Sequence, residues 1–237
     1  MIFQRLTGLH PEKFTTLLEQ LTPLWEEAEI KRLSRPNRKH AIGAGNKHKL
    51  DLGQTLFLLL LYYRTYANHV FIGMLGSIDN SNVGRYFGKI EPLLAKKFRI
   101  PKKKIELSED EIFELIIDAT EQETERRKGT GYSGKKKHQT IKTQIAVTTK
   151  GVIKSVSQSV KGSIHDKKLY DQTKMHTTRN IKKRGDLGYI GTSMLLPFKK
   201  PKNGELTEKQ KLFNRQFSKL RIIVEHVFAH MKKFRIL

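Results

Sequence analysis

Apolar residues recur at helical spacing in the first part of the chain. Residues 12–33 carry a helix-like set: Phe14, Leu17, Leu18, Leu21 and Leu24. Residues 50–67 are apolar on nearly every side, which predicts the central helix of a bundle. Between these two segments, residues 35–49 are rich in Pro, Gly, Asn and basic residues and predict a loop. We therefore expect an all-helical N-terminal region.

Residues 70–98 predict a short apolar helix, a turn that contains glycine, and a longer helix with polar and basic residues near its start. This order is typical of a helix-turn-helix motif. Asn82, Arg85 and Lys89 would then face the major groove of DNA, where asparagine pairs with adenine and arginine with guanine. An ordinary helical hairpin is the alternative interpretation.

The pattern changes after a predicted linker at residues 99–104, where a proline and a run of lysines disfavour helix. Residues 111–120 form a compact apolar run that predicts a buried central strand. Ser108 with Glu111 would instead suit a helix start, so a helix remains an alternative here.

Strand-like and helix-like segments alternate from there to the end of the chain. We predict strands at 140–149 and 152–160 joined by a tight turn, a helix at 164–172, a strand at 193–198 and a long helix at 206–234. Such an order predicts an α/β domain with a mixed sheet. We expect two domains, residues 1–104 and residues 105–237.

The charge of the chain indicates the kind of partner. Lys and Arg number 46 against 23 Asp and Glu, a formal net charge of +23, which favours binding to a polyanion. The longest apolar run, residues 56–63, is far shorter than the roughly 20 residues of a membrane span, and the N-terminus has no signal-peptide pattern. We therefore expect nucleic acid as the partner and no membrane.

The chain has no cysteine. This composition excludes disulfides, thiolate zinc sites and cysteine nucleophiles. Any metal ion must therefore be held by oxygen or imidazole ligands.

The last predicted helix carries one acidic residue among cations. Its apolar stripe consists of Phe217, Leu220, Val224, Val227, Met231 and Phe234. Glu225 lies away from this stripe, and Arg221 and Lys232 fall on the same side as Glu225. A solvated helix face with an Arg–Glu pair is the simpler interpretation.

Two aspartates occupy positions that favour a site. Asp118 follows the apolar residues 115–117, so it would end a buried strand, where it can meet residues from neighbouring elements. Asp186 lies next to Gly185 and close to Gly188, and glycine allows a sharp turn or a close approach to a substrate. A plain turn aspartate is the alternative for Asp186.

Five motifs, in this order, closely resemble those of bacterial IS5-like insertion-sequence transposases: IDATE at 117–121, YSGKKK at 132–137, GSIHDK at 162–167, DLGY at 186–189 and RIIVEH at 221–226. The resemblance covers roughly residues 50–237. It implies a ribonuclease H-like mixed-sheet catalytic domain behind an all-helical helix-turn-helix domain. It also implies that Asp118, Asp186 and Glu225 form a DDE triad.

The same resemblance implies the activity and its requirements. The expected protein binds the inverted-repeat ends of an insertion sequence and catalyses DNA strand cleavage and strand transfer with two Mg²⁺ or Mn²⁺ ions on the triad. Its partners would be those DNA ends, the target DNA and further copies of the chain in a homodimer or larger synaptic complex. The expected location is the bacterial cytoplasm, at the nucleoid.

Further residues are assigned roles around this triad. Arg221 and Lys232 would hold phosphate, and a lysine cluster would follow the DNA backbone: Lys135, Lys136 and Lys137. His165 and Asp166 form a rival set, in which Asp166 replaces Asp186 as the second carboxylate and His165 is structural or contacts phosphate.

Departures from the family pattern leave alternatives open. The segment before Asp186, residues 181–185, is more charged than the apolar strand that we expect there, and relatives continue beyond residue 237, so we expect a C-terminally truncated copy. An inactive or domesticated transposase that acts only as a DNA-binding protein is one alternative. A ribonuclease H-like nuclease that cuts without joining is another, and strand transfer distinguishes it from a transposase.

Overall fold

The computed structural model describes residues 2–34, 41, 44, 47–98, 100, 114–124, 131–134, 136–173, 175, 177 and 181–235. The chain forms two compact units. The first consists of residues 1–99 together with 232–237, and the second of residues 100–231. Most of the predicted linker at residues 99–104 lies outside the described residues.

The described part of the first unit is helical, with α1 at Ile2–Thr7, α2 at Pro11–Leu33, α3 at Leu52–Thr65, α4 at His69–Gly76 and α5 at Asn80–Lys97. The two long helices predicted at 12–33 and 50–67 are confirmed as α2 and α3. A capping box starts α3, in which the Asp51 side chain accepts the Gln54 N–H and the Gln54 side chain accepts the Asp51 N–H.

The core of this unit is built around α3, as the all-round apolar pattern predicted. Leu56 and Leu59 of α3 are fully buried, together with Leu21 of α2, Ile72 of α4 and Ile90 of α5. Burial of a leucine or isoleucine side chain contributes about 1.5–3 kcal/mol. The apolar stripe of α2 therefore stabilises the unit by packing against α3 and α5.

The short helix, turn and long helix predicted at 70–98 are confirmed as α4 and α5. Ser77 ends α4 in the left-handed conformation, with φ 51°, and Asp79 starts α5 by accepting the Ser81 N–H at 2.8 Å. Gly73 is needed at the corner because a Cβ there would lie 2.7 Å from the carbonyl oxygen of Ile78.

The second unit contains a mixed sheet. The strands are β1 at Glu114–Glu123, β2 at Gly131–Ser133, β3 at His138–Thr148, β4 at Ile153–Val156, β5 at Val160–Lys161 and β6 at Lys182–Arg184. β3 pairs antiparallel with β1 on one edge and with β2, β5 and β4 on the other, and β6 pairs parallel with the free edge of β1. The predicted mixed α/β class is thereby confirmed.

Helices cover both faces of this sheet. They are α6 at Asp166–Thr173 and α7 at Glu208–Met231, and a 3₁₀ turn lies at Leu187–Tyr189. Because successive side chains of a strand point to opposite faces, Ile116 packs against α7 whereas Ile117 packs against Tyr189. The apolar run of β1 is buried on both sides, which explains its lack of alternation.

Several predicted boundaries are corrected by the structure. The helix alternative is wrong for the described residues from 114 onward, which form β1. The strand predicted at 152–160 is divided into β4 and β5, since the Ser157 hydroxyl accepts the Gln144 N–H at 2.9 Å where a strand would offer a backbone carbonyl. The strand predicted at 193–198 is wrong, since only Leu195 forms a bridge, with Arg184.

The charged segment before Asp186 does form a strand, which the pattern did not predict. Arg184 donates two hydrogen bonds to the carboxylate of Glu114, at 2.8 and 3.1 Å, and the Lys183 ammonium lies 5.7 Å from the ring centre of Tyr170. Two of the three charged side chains of β6 therefore contact neighbouring side chains, and the third, Lys182, is exposed.

Candidate active site and nucleic-acid interface

Asp118 lies near the middle of β1, on the face that α7 covers, so its predicted place at the end of the strand is wrong. Asp118 is two residues after Ile116, which packs against α7. Asp118 Oδ2 is 3.7 Å from Arg221 Nη2, and the same nitrogen is 3.9 Å from Glu225 Oε1. One guanidinium thus lies between the first and third carboxylates of the predicted triad.

Asp186 lies beside Asp118 because of the strand register. β6 pairs parallel with β1 so that Arg184 is opposite Ile116, and each aspartate follows two residues later in its own segment. Asp186 Oδ1 accepts the Gly188 N–H at 2.8 Å, which fixes the carboxylate at the start of the 3₁₀ turn. The fold therefore brings Asp118 and Asp186 to neighbouring positions.

The electrostatics of Asp118 reflect this crowding. The pKa of Asp118 is raised to about 6, chiefly by burial; the Ala119 N–H and Arg221 oppose the shift, and the charges of Asp186 and Asp166 add to it. Its side chain is 16% exposed. A cation bound here would favour the ionised form of Asp118 and reduce its repulsion from the neighbouring carboxylates.

Asp166 lies close to Asp186, whereas His165 is turned to solvent. A Cβ on Gly188 would be 2.9 Å from both Asp166 Oδ2 and Asp186 Oδ1, so these two oxygens lie on either side of one glycine. His165 is exposed and its carbonyl accepts the Leu169 N–H in the first turn of α6. Of the rival pair, only Asp166 lies near Asp118 and Asp186; these three carboxylates are called the acidic cluster below.

Glu225 is the outermost member of the predicted triad. It lies on α7 with its side chain 58% exposed, next to the fully buried Val224. Among the described residues, no three His, Asp or Glu side chains are close enough together to hold a metal ion as they stand. The donors themselves are hard carboxylate oxygens, which are the ligands that Mg²⁺ and Mn²⁺ prefer, so the residue types fit such ions.

The lysines predicted to bind phosphate or the DNA backbone lie after the end of α7 and in the turn between β2 and β3. Helix α7 ends at Met231, so Lys232 follows the helix, and the helix predicted to residue 234 is three residues too long. Lys136 and Lys137 are exposed in the turn between β2 and β3, and Lys135 lies outside the described residues. Lys137 adopts the left-handed conformation, with φ 56°.

The three predicted DNA contacts on α5 differ in their surroundings. Arg85 is exposed and donates to Asn82 Oδ1 at 3.2 Å. Lys89 Nζ is 3.4 Å from Glu29 Oε1 and also contacts the ring of His48 at 3.2 Å. Asn82 and Arg85 are therefore presented at the surface, while the Lys89 charge is partly used within the unit.

A cleft of about 490 Å³ opens next to these side chains. Basic residues predominate in its lining, which consists of Lys47, His48, Lys49, Ile78, Asp79, Asn82, Arg85, Tyr86 and Lys89. The Tyr86 hydroxyl accepts the Lys49 N–H at 2.9 Å and thereby fixes the preceding loop against α5. The start of the long helix is thus the wall of a basic cleft, as expected for a surface that binds an anionic polymer.

Lys142 and Glu121 lie next to the acidic cluster and were not identified from the sequence. Lys142 is in β3, is 7% exposed and is 2.9 Å from Asp166 Oδ1. The sequence did contain a signal for Lys142, because a lysine inside an apolar strand must find a partner.

Among the described residues, no helix has the length and hydropathy needed to cross a membrane.

Two family models match the chain. The model of the DDE superfamily endonuclease matches residues 117–237, and the model of the helix-turn-helix of DDE superfamily endonuclease matches residues 48–100. The chain therefore belongs to the DDE superfamily endonucleases, with a helix-turn-helix region ahead of the endonuclease region.

Named relatives identify the kind of member. The chain is 31% identical to a probable transposase of insertion sequence element IS702 from Microchaete diplosiphon, over 99% of this chain and 84% of the relative. It is 26% identical to a candidate transposase of insertion sequence element IS112 from Streptomyces albus G, over 98% of this chain and 83% of the relative. No solved structure matches. The resemblance to insertion-sequence transposases is thus confirmed.

Proposed function

We propose that this DDE-superfamily transposase binds the ends of its insertion sequence and catalyses strand cleavage and strand transfer with Asp118, Asp186 and Glu225. The observation that carries the proposal is the parallel pairing of β6 with β1, which sets Asp186 beside Asp118, together with the contact of one Arg221 nitrogen to both Asp118 and Glu225. These contacts relate Asp118 to each of the other two carboxylates, which come from distant parts of the chain. The retained acidic residues do not favour a role limited to DNA binding.

The second unit is proposed to have a ribonuclease H-like fold. Three features support it: a long antiparallel pair β1–β3, a short strand β6 parallel to β1, and a closing helix α7 over the sheet. We propose a domain boundary after residue 104, with residues 1–104 binding DNA and residues 105–237 carrying the chemistry, except that the last six residues pack in the first unit.

The protein side chains have separate tasks in this proposal. Asp118, Asp186 and Glu225 would hold two Mg²⁺ or Mn²⁺ ions, which when bound supply an activated water and neutralise charge on the phosphate. Arg221 is placed to orient a phosphate oxygen beside Asp118, because its guanidinium can form two parallel hydrogen bonds.

DNA is the proposed partner of both units. Asn82, Arg85 and Lys89 would contact the terminal repeats, and three lysines would follow the backbone: Lys135, Lys136 and Lys137. Lys232 and Arg221 would each hold phosphate. Two element ends must be joined in one reaction, so we propose a homodimer or larger synaptic complex at the bacterial nucleoid.

The test uses the purified chain, the DNA that flanks its gene, Mg²⁺ or Mn²⁺ and a target plasmid. We expect nicked and joined products from the wild type, and at least about a hundredfold less from Asp118→Asn, Asp186→Asn or Glu225→Gln. The matched controls are Asp171→Asn on α6 and Glu208→Gln on α7, two exposed carboxylates that should leave the products unchanged. Equal product from wild type and triad variants would contradict the proposal, and cleavage without joining would favour a nuclease.

A further inference from the structure

Lys142 is a buried lysine that the proposed function leaves without a role. It lies in β3 opposite Glu121 of β1, and it is 7% exposed. Its ammonium donates to the carbonyl oxygen of Ile164 at 2.7 Å, and lies 2.9 Å from Asp166 Oδ1 and 3.4 Å from Glu121 Oε1. A buried ammonium is costly unless it is compensated, and three oxygens compensate this one. Lys142 is therefore engaged within the protein and is not available to DNA.

The ion pair distinguishes Asp166 from its neighbour Asp186. Asp166 Oδ1 is buried and accepts no hydrogen bond within the described part of the chain, so the Lys142 charge is what stabilises it. Asp186 Oδ1 accepts the Gly188 N–H, and no ion pair of Asp186 is found among the described residues. Two carboxylates on either side of Gly188 thus differ in charge compensation.

This difference determines which carboxylate suits a divalent cation. A cation near Asp166 would meet the repulsion of an ammonium that lies 2.9 Å from the carboxylate, and would gain little from an already neutralised charge. A cation near Asp186 meets a carboxylate with its charge intact, next to Asp118. Affinity for hard cations follows the number and charge of such oxygens.

We propose that Lys142 is a positioning residue that neutralises Asp166 and holds it against Gly188, and so leaves Asp186 as the second carboxylate available to the cation. This inference rests on the proposed function, because it assumes that Asp118 takes part in cation binding. It assigns different roles to the two aspartates that the sequence left as rivals.

The experiment measures Mn²⁺ affinity of the full chain by isothermal titration calorimetry, without DNA. We expect Asp186→Asn to weaken Mn²⁺ binding by about tenfold or more, and Asp166→Asn to change it by less than about threefold. In a Lys142→Met background, Asp166 is released from its partner. Replacing Asp166 there should weaken Mn²⁺ binding by about tenfold, an effect that a purely structural lysine would not produce.

Glu121→Gln is the matched control. It removes the other carboxylate next to Lys142 but keeps the pair with Asp166, so Mn²⁺ affinity should stay within about twofold of wild type. Thermal unfolding of each variant checks that the fold is intact. If Lys142→Met does not fold, the comparison of Asp166→Asn with Asp186→Asn decides the question in the native background.

The outcomes separate this inference from the function on which it rests. Equal weakening of Mn²⁺ binding by Asp166→Asn and Asp186→Asn overturns the inference alone. A wild type without measurable Mn²⁺ binding, or an Asp118→Asn variant with unchanged affinity, overturns the proposed function as well.

Discussion

The ionised carboxylate of Asp118 lowers the free energy of unfolding of the protein. The residue is held in a buried strand beside Asp186 and Asp166, and Arg221 offsets only part of the unfavourable environment. Residues that serve a reaction are often kept at the expense of stability, because a strained or crowded group is what binds the substrate or ion.

Asp118→Asn should therefore stabilise the protein while it abolishes catalysis. The folded-state pKa is about 6 against 3.8 in the unfolded chain, so the stability cost is absent below pH 3.8, grows between these values and is complete above pH 6. We expect the variant to gain about 2–3 kcal/mol at pH 7 in EDTA and nothing at pH 3.5. Chemical denaturation at the two pH values measures this.

The exposed Asp171→Asn substitution is the control for that experiment and should show no gain at either pH. A variant that is no more stable than wild type at pH 7 would show that Asp118 bears no such cost.

At the scale of elements, β6 shows why the site was only partly predictable. β1, β3 and α7 follow from long apolar patterns, so Asp118 and Glu225 were placed on the right kinds of element. Lys182–Arg184 carries no strand pattern, because its pairing with β1 uses backbone groups and two of its charged side chains contact residues distant in sequence. The spacing of apolar residues indicates which positions of a segment are buried, but it does not indicate partners that are distant in sequence.

The Arg184–Glu114 pair should stabilise β6. Arg184 donates two hydrogen bonds to Glu114 and its guanidinium lies 5.5 Å from the ring centre of Phe217. We expect Arg184→Ala to cost about 1.5–3 kcal/mol, with a coupling of at least about 1 kcal/mol to Glu114→Ala in a double-mutant cycle. Urea denaturation of the four proteins measures the coupling. Additive effects would contradict this role, and Lys182→Ala, an exposed neighbour, should be nearly neutral.

Helix α5 contains cations of two kinds. Arg85 is exposed, whereas Lys89 is held by Glu29, whose pKa is lowered to about 2, chiefly by its hydrogen bonds from Arg32. Only the first kind is fully available to DNA. We therefore expect Arg85 to contribute more to DNA binding than Lys89 does.

Arg85→Ala should weaken DNA binding, and if Arg85 contacts phosphate it should reduce the slope of log affinity against log salt by about 1. Lys89→Ala should reduce that slope by less than Arg85→Ala does and lower the thermal stability, because Glu29 then loses a partner. Fluorescence anisotropy at several salt concentrations distinguishes the two. A larger slope change for Lys89→Ala would reverse the assignment.

At the scale of the whole molecule, the charge of +23 makes DNA binding expected under almost any function. Such binding falls by about 10³–10⁵ between 50 and 200 mM salt for a protein with six to ten phosphate contacts. Binding therefore says little about catalysis, and the triad variants should bind DNA as the wild type does. Strand transfer and Mn²⁺ affinity are the measurements that separate a transposase from a basic DNA-binding protein.

The two ends of the chain meet within the first unit. Residues 232–235 belong to it, and Arg64 of α3 donates to the carbonyl oxygen of Lys233 at 2.6 Å and lies 5.6 Å from the ring centre of Phe234. Gly8, with φ 78°, gives that ring room, because a Cβ there would lie 2.5 Å from it. The last residues thus support the helical unit as part of its packing.

Phe234→Ala should therefore destabilise the helical unit by about 1–3 kcal/mol, since the lost ring leaves a cavity next to Gly8. Trp25, the one tryptophan of the chain, packs against the core of this unit, so its fluorescence during urea denaturation reports unfolding of this unit. Phe98→Ala, at a 59% exposed phenylalanine of the same unit, is the matched control and should change the midpoint little. An unchanged midpoint for Phe234→Ala would mean that the Phe234 ring contributes nothing to the stability of the helical unit, and that its stability comes from the packing of α1 to α5.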